Sequence, residues 1–449
     1  MKKLTRIFYP LMMMVILISL FTSCKKADVT PNPSIEPFTN GSIIRNEIVV
    51  VSDMHMGADD AYTECKKNRA PLAKLLGQMR VSPNVKEIVI AGDLIDEWFV
   101  PADVDTYGGK NQTDFVQRLA VTNTVVFDVL NQIIKEGKIK VTYVPGNHDL
   151  AITADNVNRI LPGVNQARDN QQGLGTYTPT DFPVLAIEHG HRYNFSCAPD
   201  PISNQTIASG SIMPPGYFFT RIAALSAKQG TPTPGDVLPV LTQPKDPNDV
   251  NQNLAFGYWN SWVPLVVMFP ITNKFNESLI KTNINGFTKT YAVNDIIPSQ
   301  SPTGTIDVVL FKGVYTDSNW SQREVLNKVA IKFPVSQAMA NADDDRKTDD
   351  QAKVQYFMNP NSKMRIVVFG HTHEPEIIAS NNYKGEYCIY ANSGTWVDNN
   401  PHQTTMNFVV ITPQTSDVKS QTFVKLYNFM GEVVSLMAVD ELAYDPALF

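Results

Sequence analysis

Nowhere in this 449-residue chain do lysine and arginine gather into a stripe, and the net charge is −6. A broad nucleic-acid footprint needs a basic surface against the phosphate backbone, so this balance argues against a nucleic-acid partner. Long apolar runs are also scarce. The one that stands out, 7–21, is too short to span a bilayer comfortably and is interrupted by Pro10. Cysteine occurs four times and histidine seven. Hydrophobic content of 43% against 18% charged describes a folded globular chain, not a disordered one. The length allows two or three ordinary domains, or one large domain with an insertion.

The few histidines are not scattered. Six of the seven fall in five strand-like runs: IVVVSDMH (48–55), EIVIAGD (87–93), VTYVPGNHD (141–149), VLAIEHGH (184–191) and RIVVFGHTH (365–373). Each run ends in side chains of the kind that bind metal, and only His402 stands apart, read as a surface residue. In an open α/β sheet, ligand groups collect beyond the carboxyl ends of the strands, where loops from several strands converge. Asp, Asn and neutral His together suit divalent ions of intermediate hardness, so manganese, iron and zinc all fit. Two such ions need a bridging carboxylate, further ligands and open positions, and a pair of this kind clamps the attacking and leaving oxygens of a phosphoryl displacement.

The first residues read as a processing segment. Lys2, Lys3 and Arg6 precede the apolar run, which closes on Leu20-Phe21-Thr22-Ser23-Cys24. The pattern resembles a bacterial lipoprotein signal, in which cleavage leaves Cys24 as the acylated first residue. An ordinary secretory peptide or an uncleaved anchor is the alternative. The expectation is a signal over 1–23, a Pro-bearing tether over 24–44, and an exported, membrane-anchored protein on the periplasmic or cell-surface side. Three cysteines then remain. Cys65 and Cys197 follow the first and fourth clusters and are expected to approach, with pairing left open, while Cys388 reads as a buried free thiol.

Between the clusters, 70–81 has helical periodicity with Leu72, Leu75, Leu76 and Met79 on one face. A second helix is predicted over 114–136, capped by Asp114 and ended by Gly137. Alternating strands and helices imply a largely parallel sheet covered by helices. YCIYANSG, NFVVITP, QTFVKLYNF and EVVSLMAV, all after the fifth cluster, read as an antiparallel meander. About 175 residues separate His191 from the strand leading to His371, too long for a plain connection. The predicted organisation is a core over 45–197 and 351–449 with an inserted cap over 198–350. Within the cap, the aromatic stretch 256–270 is either cap core or an apolar surface for an acyl chain or membrane. Pro264 and Pro270 argue there against one continuous helix. The acidic stretch 341–353 reads as a solvated helix start.

SDMHMG (52–57), GDLIDEW (92–98), GNHD (146–149), HGH (189–191), GHTH (370–373) and ANSGTW (391–396), in that order, resemble the calcineurin-like metallophosphoesterase superfamily. The phrases GDLIDEW and SDMHMG look most like the branch of UDP-diacylglucosamine pyrophosphatases. The resemblance covers roughly 45–195 and 360–440. It implies a four-layer α-β-β-α sandwich and a dinuclear hydrolase of phosphate esters or anhydrides acting on a phosphorylated small molecule or lipid. By the same resemblance Asp53, His55 and His373 hold one divalent ion, Asn147, His189 and His371 the other, and Asp93 bridges them. His148 matches the family's non-ligand histidine, which stabilises the transition state or protonates the leaving oxygen. The branch often carries arginine there, so His148 fits the phosphatase and phosphodiesterase members better. Asp149 is the carboxylate expected to orient His148. His191 is a hydrogen-bond donor behind the ligands or a loop residue, and Asp96 and Glu97 are supporting or structural. A non-catalytic metal-binding lipoprotein and a nuclease of the same superfamily are the competing functions.

Overall fold

The computed structural model describes residues 36–449 except 170, 314, 315, 402, 416–419 and 449. Cys24, the 1–23 segment, most of the tether and His402 therefore lie outside the described residues. Asn32–Phe449 forms one compact unit.

Strands β1 (Glu47–Val51), β2 (Val85–Ala91) and β3 (Lys140–Val144) run parallel and adjacent. A two-residue β4 (Asn165–Gln166) extends that edge, and the second sheet begins at β5 (Leu185–Ile187). β-branched residues dominate β1 and β2, and their side chains divide by parity as pleated backbone requires. Val49, Val51, Ile88 and Ile90 face one hydrophobic cluster, while Ile48, Val50, Val89 and Ala91 face another. A strand buried on both faces reads as a continuous apolar run, which is why the period-2 signal is absent from the sequence.

Helices cover the first cluster. α1 (Arg69–Val81) turns Leu72, Leu75, Leu76 and Met79 inward as the periodicity predicts. The helix expected over 114–136 is instead two, α2 (Gln112–Thr122) and α3 (Thr124–Glu136), and the cap of the first is Asn111, not Asp114. The break falls at the fully buried Asn123. Its side-chain amide donates to Leu119 O (2.7 Å) and to Gly57 O (2.9 Å), ending α2 and pinning the loop of the first motif. Gly137 ends α3 in the left-handed conformation, φ 64°. A short α4 (Ala154–Ile160) follows β3.

The stretch 198–350 contains α5 (Pro215–Lys228) and α6 (Val250–Met268). It also has two small ribbons, β6 (Ile280–Lys281) with β7 (Thr290–Tyr291) and β8 (Ser299–Gln300) with β9 (Ile306–Asp307). Helices α7 (Asp317–Leu326), α8 (Val335–Ala342) and α9 (Asp345–Asp349) end this region. Its buried side chains, among them Tyr217, Phe218, Phe287 and Trp320, share one cluster with the helix-covered face of the large sheet. α6 corrects the proline argument: the helix runs through Pro264 and stops only before Pro270. The missing N–H at 264 removes the helical bond to the carbonyl of Asn260, a residue on the exposed side of the helix. Among the described residues no helix is long and apolar enough to cross a membrane.

The second sheet takes β10 (Ile366–Phe369), β11 (Glu376–Asn381) and β12 (Tyr387–Asn392), ordered β11-β12-β10-β5. YCIYANSG is thus not in the meander: it pairs in parallel with β10. The meander is β13 (Asn407–Thr412), β14 (Thr422–Met430) and β15 (Val433–Leu442), joined to β1. The two sheets share the second cluster, where Ile366, Val368 and Ile389 meet Val50, Val89 and Val409. Cys65, Cys197 and Cys388 are all free thiols, so Cys65 and Cys197 form no disulfide. Burial pushes the Cys65 thiol up to about 12.

Two outcomes test this packing. Leu130→Ala on α3, fully buried, should cost about 2–5 kcal/mol in urea unfolding, the range for a core leucine. Glu47 is 2% exposed at the start of β1, and Oε2 has no hydrogen-bond partner. Burial lifts its pKa to about 7, against the opposing pull of Lys425. A carboxyl raised on folding is penalised once ionised, so its contribution to stability is lost as pH rises from the usual carboxylate range through 7. Unfolding titrations of Glu47→Gln should show a flatter loss across that window than the parent.

Candidate metal centre

Parallel strands align their carboxyl ends, so β1, β2 and β3 deliver Asp53, Asp93 and Asn147 side by side. Backbone bonds lock the first two loops together: Asp53 N donates to Gly92 O (3.1 Å), and His55 N to Asp93 O (2.9 Å). The second sheet brings the rest. Gly370 N donates to His189 O (3.2 Å), and the His371 amide reaches Asp53 Oδ2 (3.0 Å). His189 Nδ1 donates to Ala91 O (2.8 Å), turning its Nε2 toward the carboxylates.

The side chains converge. His373 Nε2 lies 3.2 Å from Asp53 Oδ1, and His189 Nε2 lies 3.1 Å from both Asp93 Oδ2 and Asn147 Oδ1. His55 Nε2 lies 3.5 Å from Asp93 Oδ2 and 3.2 Å from His373 Nε2. Three groups have ligand atoms close enough to hold an ion: Asp53, His55 and His373; Asp53, Asp93 and His189; and His55, Glu64, Asp96 and His148. Asp53 is common to the first two. His371 is in none of the three, but its ring lies 5.1 Å from that of His189.

Backbone and electrostatics suit a cation. Asp53, His55, Asp93, His371 and His373 all have φ between 46° and 72°. That left-handed region costs a non-glycine residue roughly 1–3 kcal/mol, so five cases at one site mark a geometry imposed from outside. The backbone is packed to the limit as well. A Cβ at Gly146 would run into Asp93 Oδ1, and one at Gly370 would lie 2.5 Å from Asp53 Oδ2. Asp53 and Asp93 are buried, and neither pairs with a lysine or arginine among the described residues. Burial acts to raise both carboxyl pKa values, but the surrounding histidines outweigh it and hold both well below the usual range. Burial opposes protonation of His189, yet Asp93 and Asp53 lift it to about 9. His371 goes the other way, lowered to about 3 by burial and by the charge of His189. Two desolvated carboxylates demanding positive charge beside a neutral imidazole form a donor set that fits divalent metal.

Around this cluster the structure reassigns several residues. Asp149 does not touch His148. Its carboxylate accepts from Gly146 N (2.6 Å), Leu94 N (3.0 Å) and Ile95 N (3.3 Å), stapling the third motif to the second. Sequence adjacency misled because Asp149 turns toward that backbone. The partner of His148 is Asp96, whose Oδ1 accepts from Nδ1 (2.9 Å), while Oδ2 lies 3.2 Å from Nδ1 of His55. The indole of Trp98 stacks on His148, centroids 4.7 Å apart. Glu97 is structural: it accepts from Tyr107 Oη (2.7 Å) and Gln112 Nε2 (3.0 Å). His191 opens a single helical turn, buried 5.3 Å from the ring of His189, with neither ring nitrogen hydrogen-bonded.

Three further residues carry no motif. Glu64 Oε2 lies 3.3 Å from His55 Nδ1. Asp345 lines the cavity in front of the cluster. Asp349, from the stretch expected to be solvated, is 2% exposed. It accepts from Tyr390 Oη (2.5 Å) and Thr372 Oγ1 (3.0 Å), and Asn392 Nδ2 (3.2 Å) joins them, so the 370–373 loop is held from behind. Only the chain crossings put these three near the site.

The cavity in front of the cluster measures about 450 Å³. A larger depression of about 810 Å³ shares no residue with it and borders none of the aspartate–histidine cluster.

Residues 47–213 match the family model described as calcineurin-like phosphoesterase. The match supports the metallophosphoesterase superfamily for that part of the chain. With the clusters able to hold a metal ion, it points to a metal-dependent phosphoesterase hydrolase. The mixed α/β architecture, a large sheet with helices against it, fits such a fold. The fifth motif, 370–373, lies beyond the matched stretch, and the second sheet alone carries it to the site. No curated protein matches the chain.

Gly146→Ala should displace Asp93 and lower the metal content of the purified protein, read by elemental analysis. Gly77→Ala, where a Cβ meets nothing within 4 Å, should leave it unchanged. Equal metal content in both variants would remove the packing argument.

Proposed function

We propose that this chain hydrolyses phosphate esters or anhydrides with two divalent ions. The observation that carries the reading is the convergence of five strand-end loops on the buried Asp53 and Asp93. In the proposed assignment Asp53, His55 and His373 hold one ion, Asn147, His189 and His371 hold the other, and Asp93 serves both. Bound there, such ions supply Lewis-acid polarisation of a phosphoryl oxygen and ease deprotonation of an attacking water.

The chain's own residues do the rest. Asp96 accepts from Nδ1 of His148, which fixes the tautomer and leaves the opposite nitrogen for proton transfer at the leaving oxygen. Trp98 stacked on that ring restricts its rotation. Asp96 also contacts His55, so one carboxylate orients a ligand and the proton-transfer group together. The strained backbone and the glycine contacts keep the cluster in register before any substrate arrives.

The same reading includes the four-layer α-β-β-α arrangement with 198–350 as its cap, and export with a lipid anchor at Cys24. The shared core between the two sheets supports the former. The charged, apolar and small-residue order of residues 1–24 supports the latter.

The test is hydrolysis of a chromogenic monoester and diester by the purified protein across manganese, iron and zinc. Activity with none of them would sink the reading. His148→Ala should lower turnover by about 10²–10⁴-fold, the usual worth of general acid–base catalysis, with metal content intact. Asp96→Asn should lower it too, whereas Asp149→Asn should chiefly lower thermal stability by loosening the two loops it joins.

A further inference from the structure

The cavity in front of the aspartate–histidine cluster has two unlike walls. One is the cluster itself. The other is built by α5 and α6 and is lined by Phe219, Ala223, Tyr258, Trp262, Leu265 and Phe269. No lysine or arginine lines any part of it, while the carboxylates of Glu64 and Asp345 do. The two buried guanidiniums of the 198–350 stretch are spent elsewhere. Arg221 donates to the carbonyl oxygens of Val100 and Pro101, and Arg323 to those of Ala198 and Phe195. A polyphosphate or nucleotide would therefore meet carboxylates and find no cation beyond the cluster to neutralise a second phosphate.

Two buried donors also lack a partner. The indole N–H groups of Trp98 and Trp262, 1% and 3% exposed, make no hydrogen bond among the described residues, and both rings line the cavity. The cavity thus offers a seat for one phosphate and an apolar wall.

Resting on the phosphoesterase reading above, we propose that the substrate is an amphiphile. One phosphate sits at the cluster, its apolar hydrocarbon or aromatic substituent lies against the α5–α6 wall, and polyanions are excluded. Phe219, Leu265 and Phe269 then set specificity by the apolar area they bury. Leu265 and Phe269 are half-buried at the cavity and not locked in the core, as a contact surface requires.

The experiment uses the full chain and p-nitrophenyl phosphodiesters whose second substituent is methyl, butyl, octyl, phenyl or thymidine. The leaving group stays constant, so differences report the second substituent. The kcat/KM should climb with alkyl length, about fourfold for each methylene that becomes fully buried. A rise with the alkyl series alone identifies a chain, and a rise with phenyl alone identifies a ring. The thymidine ester should not exceed the methyl ester. Phe219→Ser on α5 and Leu265→Ser on α6 should each lower the octyl-to-methyl ratio by about tenfold. Because the ratio is taken within one protein, partial unfolding leaves it unchanged. Tryptophan fluorescence of the zinc-loaded chain supplies a second readout besides turnover, in which the non-hydrolysable octylphosphonate should bind at least tenfold tighter than methylphosphonate. A flat ester series with active protein overturns the amphiphile and leaves the phosphoesterase reading standing. If no ester is hydrolysed, that reading fails and the phosphonate titration decides this one, equal affinities overturning it.

Discussion

Two carboxylates, Asp53 and Asp93, are almost wholly buried and pair with no lysine or arginine among the described residues, and the surrounding architecture answers to them. An unpaired buried carboxylate is costly enough that it normally neutralises by taking a proton. Here both stay ionised because histidines from distant loops surround them. Removing one partner from such a buried set leaves a naked charge and costs about 3–5 kcal/mol. That is comparable with the strain of one left-handed residue, and each of the strained residues Asp53, His55, Asp93, His371 and His373 is itself a member of this charged set. Gly146 and Gly370 follow from the same demand, since any Cβ there would push an aspartate out of place.

The site belongs to neither sheet alone. The large sheet supplies Asp53, Asp93 and Asn147, and the small one supplies His189, His371 and His373. Their carboxyl edges meet because the two inner faces share one apolar cluster. The fit is then fixed from outside. Asp349 gathers Thr372, Tyr390 and Asn392 behind the 370–373 loop, and Asp149 ties the second and third motifs together. Both are buried carboxylates acting through hydrogen bonds to positions beside the ligands. Such partners orient a metal site without touching the metal.

The charged and the apolar walls of the cavity come from different parts of the chain. The strand-end loops carry the charge, and α5 and α6 carry an apolar face with no cation on the cavity. Trp98 and Tyr258 line that cavity too, and Trp98 also stacks on His148, so the proposed substrate wall and the proposed proton-transfer group share a surface.

Much of this was legible in the residues. The five strands, α1 and the end of α3 at Gly137 lie where apolar runs and turn residues predicted, because strand burial and helix ends are local properties of residue type. Hydrogen-bond partnership is not local. Asp149 is next to His148 in the chain, yet Asp96 binds it, since loops from neighbouring strands lie closer in space than consecutive side chains point. Asn123 splits a helix because its amide finds Gly57 O, 66 residues away. Pro264 does not stop α6, and β12 leaves the meander for the second sheet. Glu64, Asp345 and Asp349 have no motif to announce them. The sequence by itself determined which side chains are candidate cation ligands and which strands carry them. Only the tertiary structure decided which carboxylate serves which histidine and what faces the cavity, because those depend on distances between segments that the order of residues does not contain.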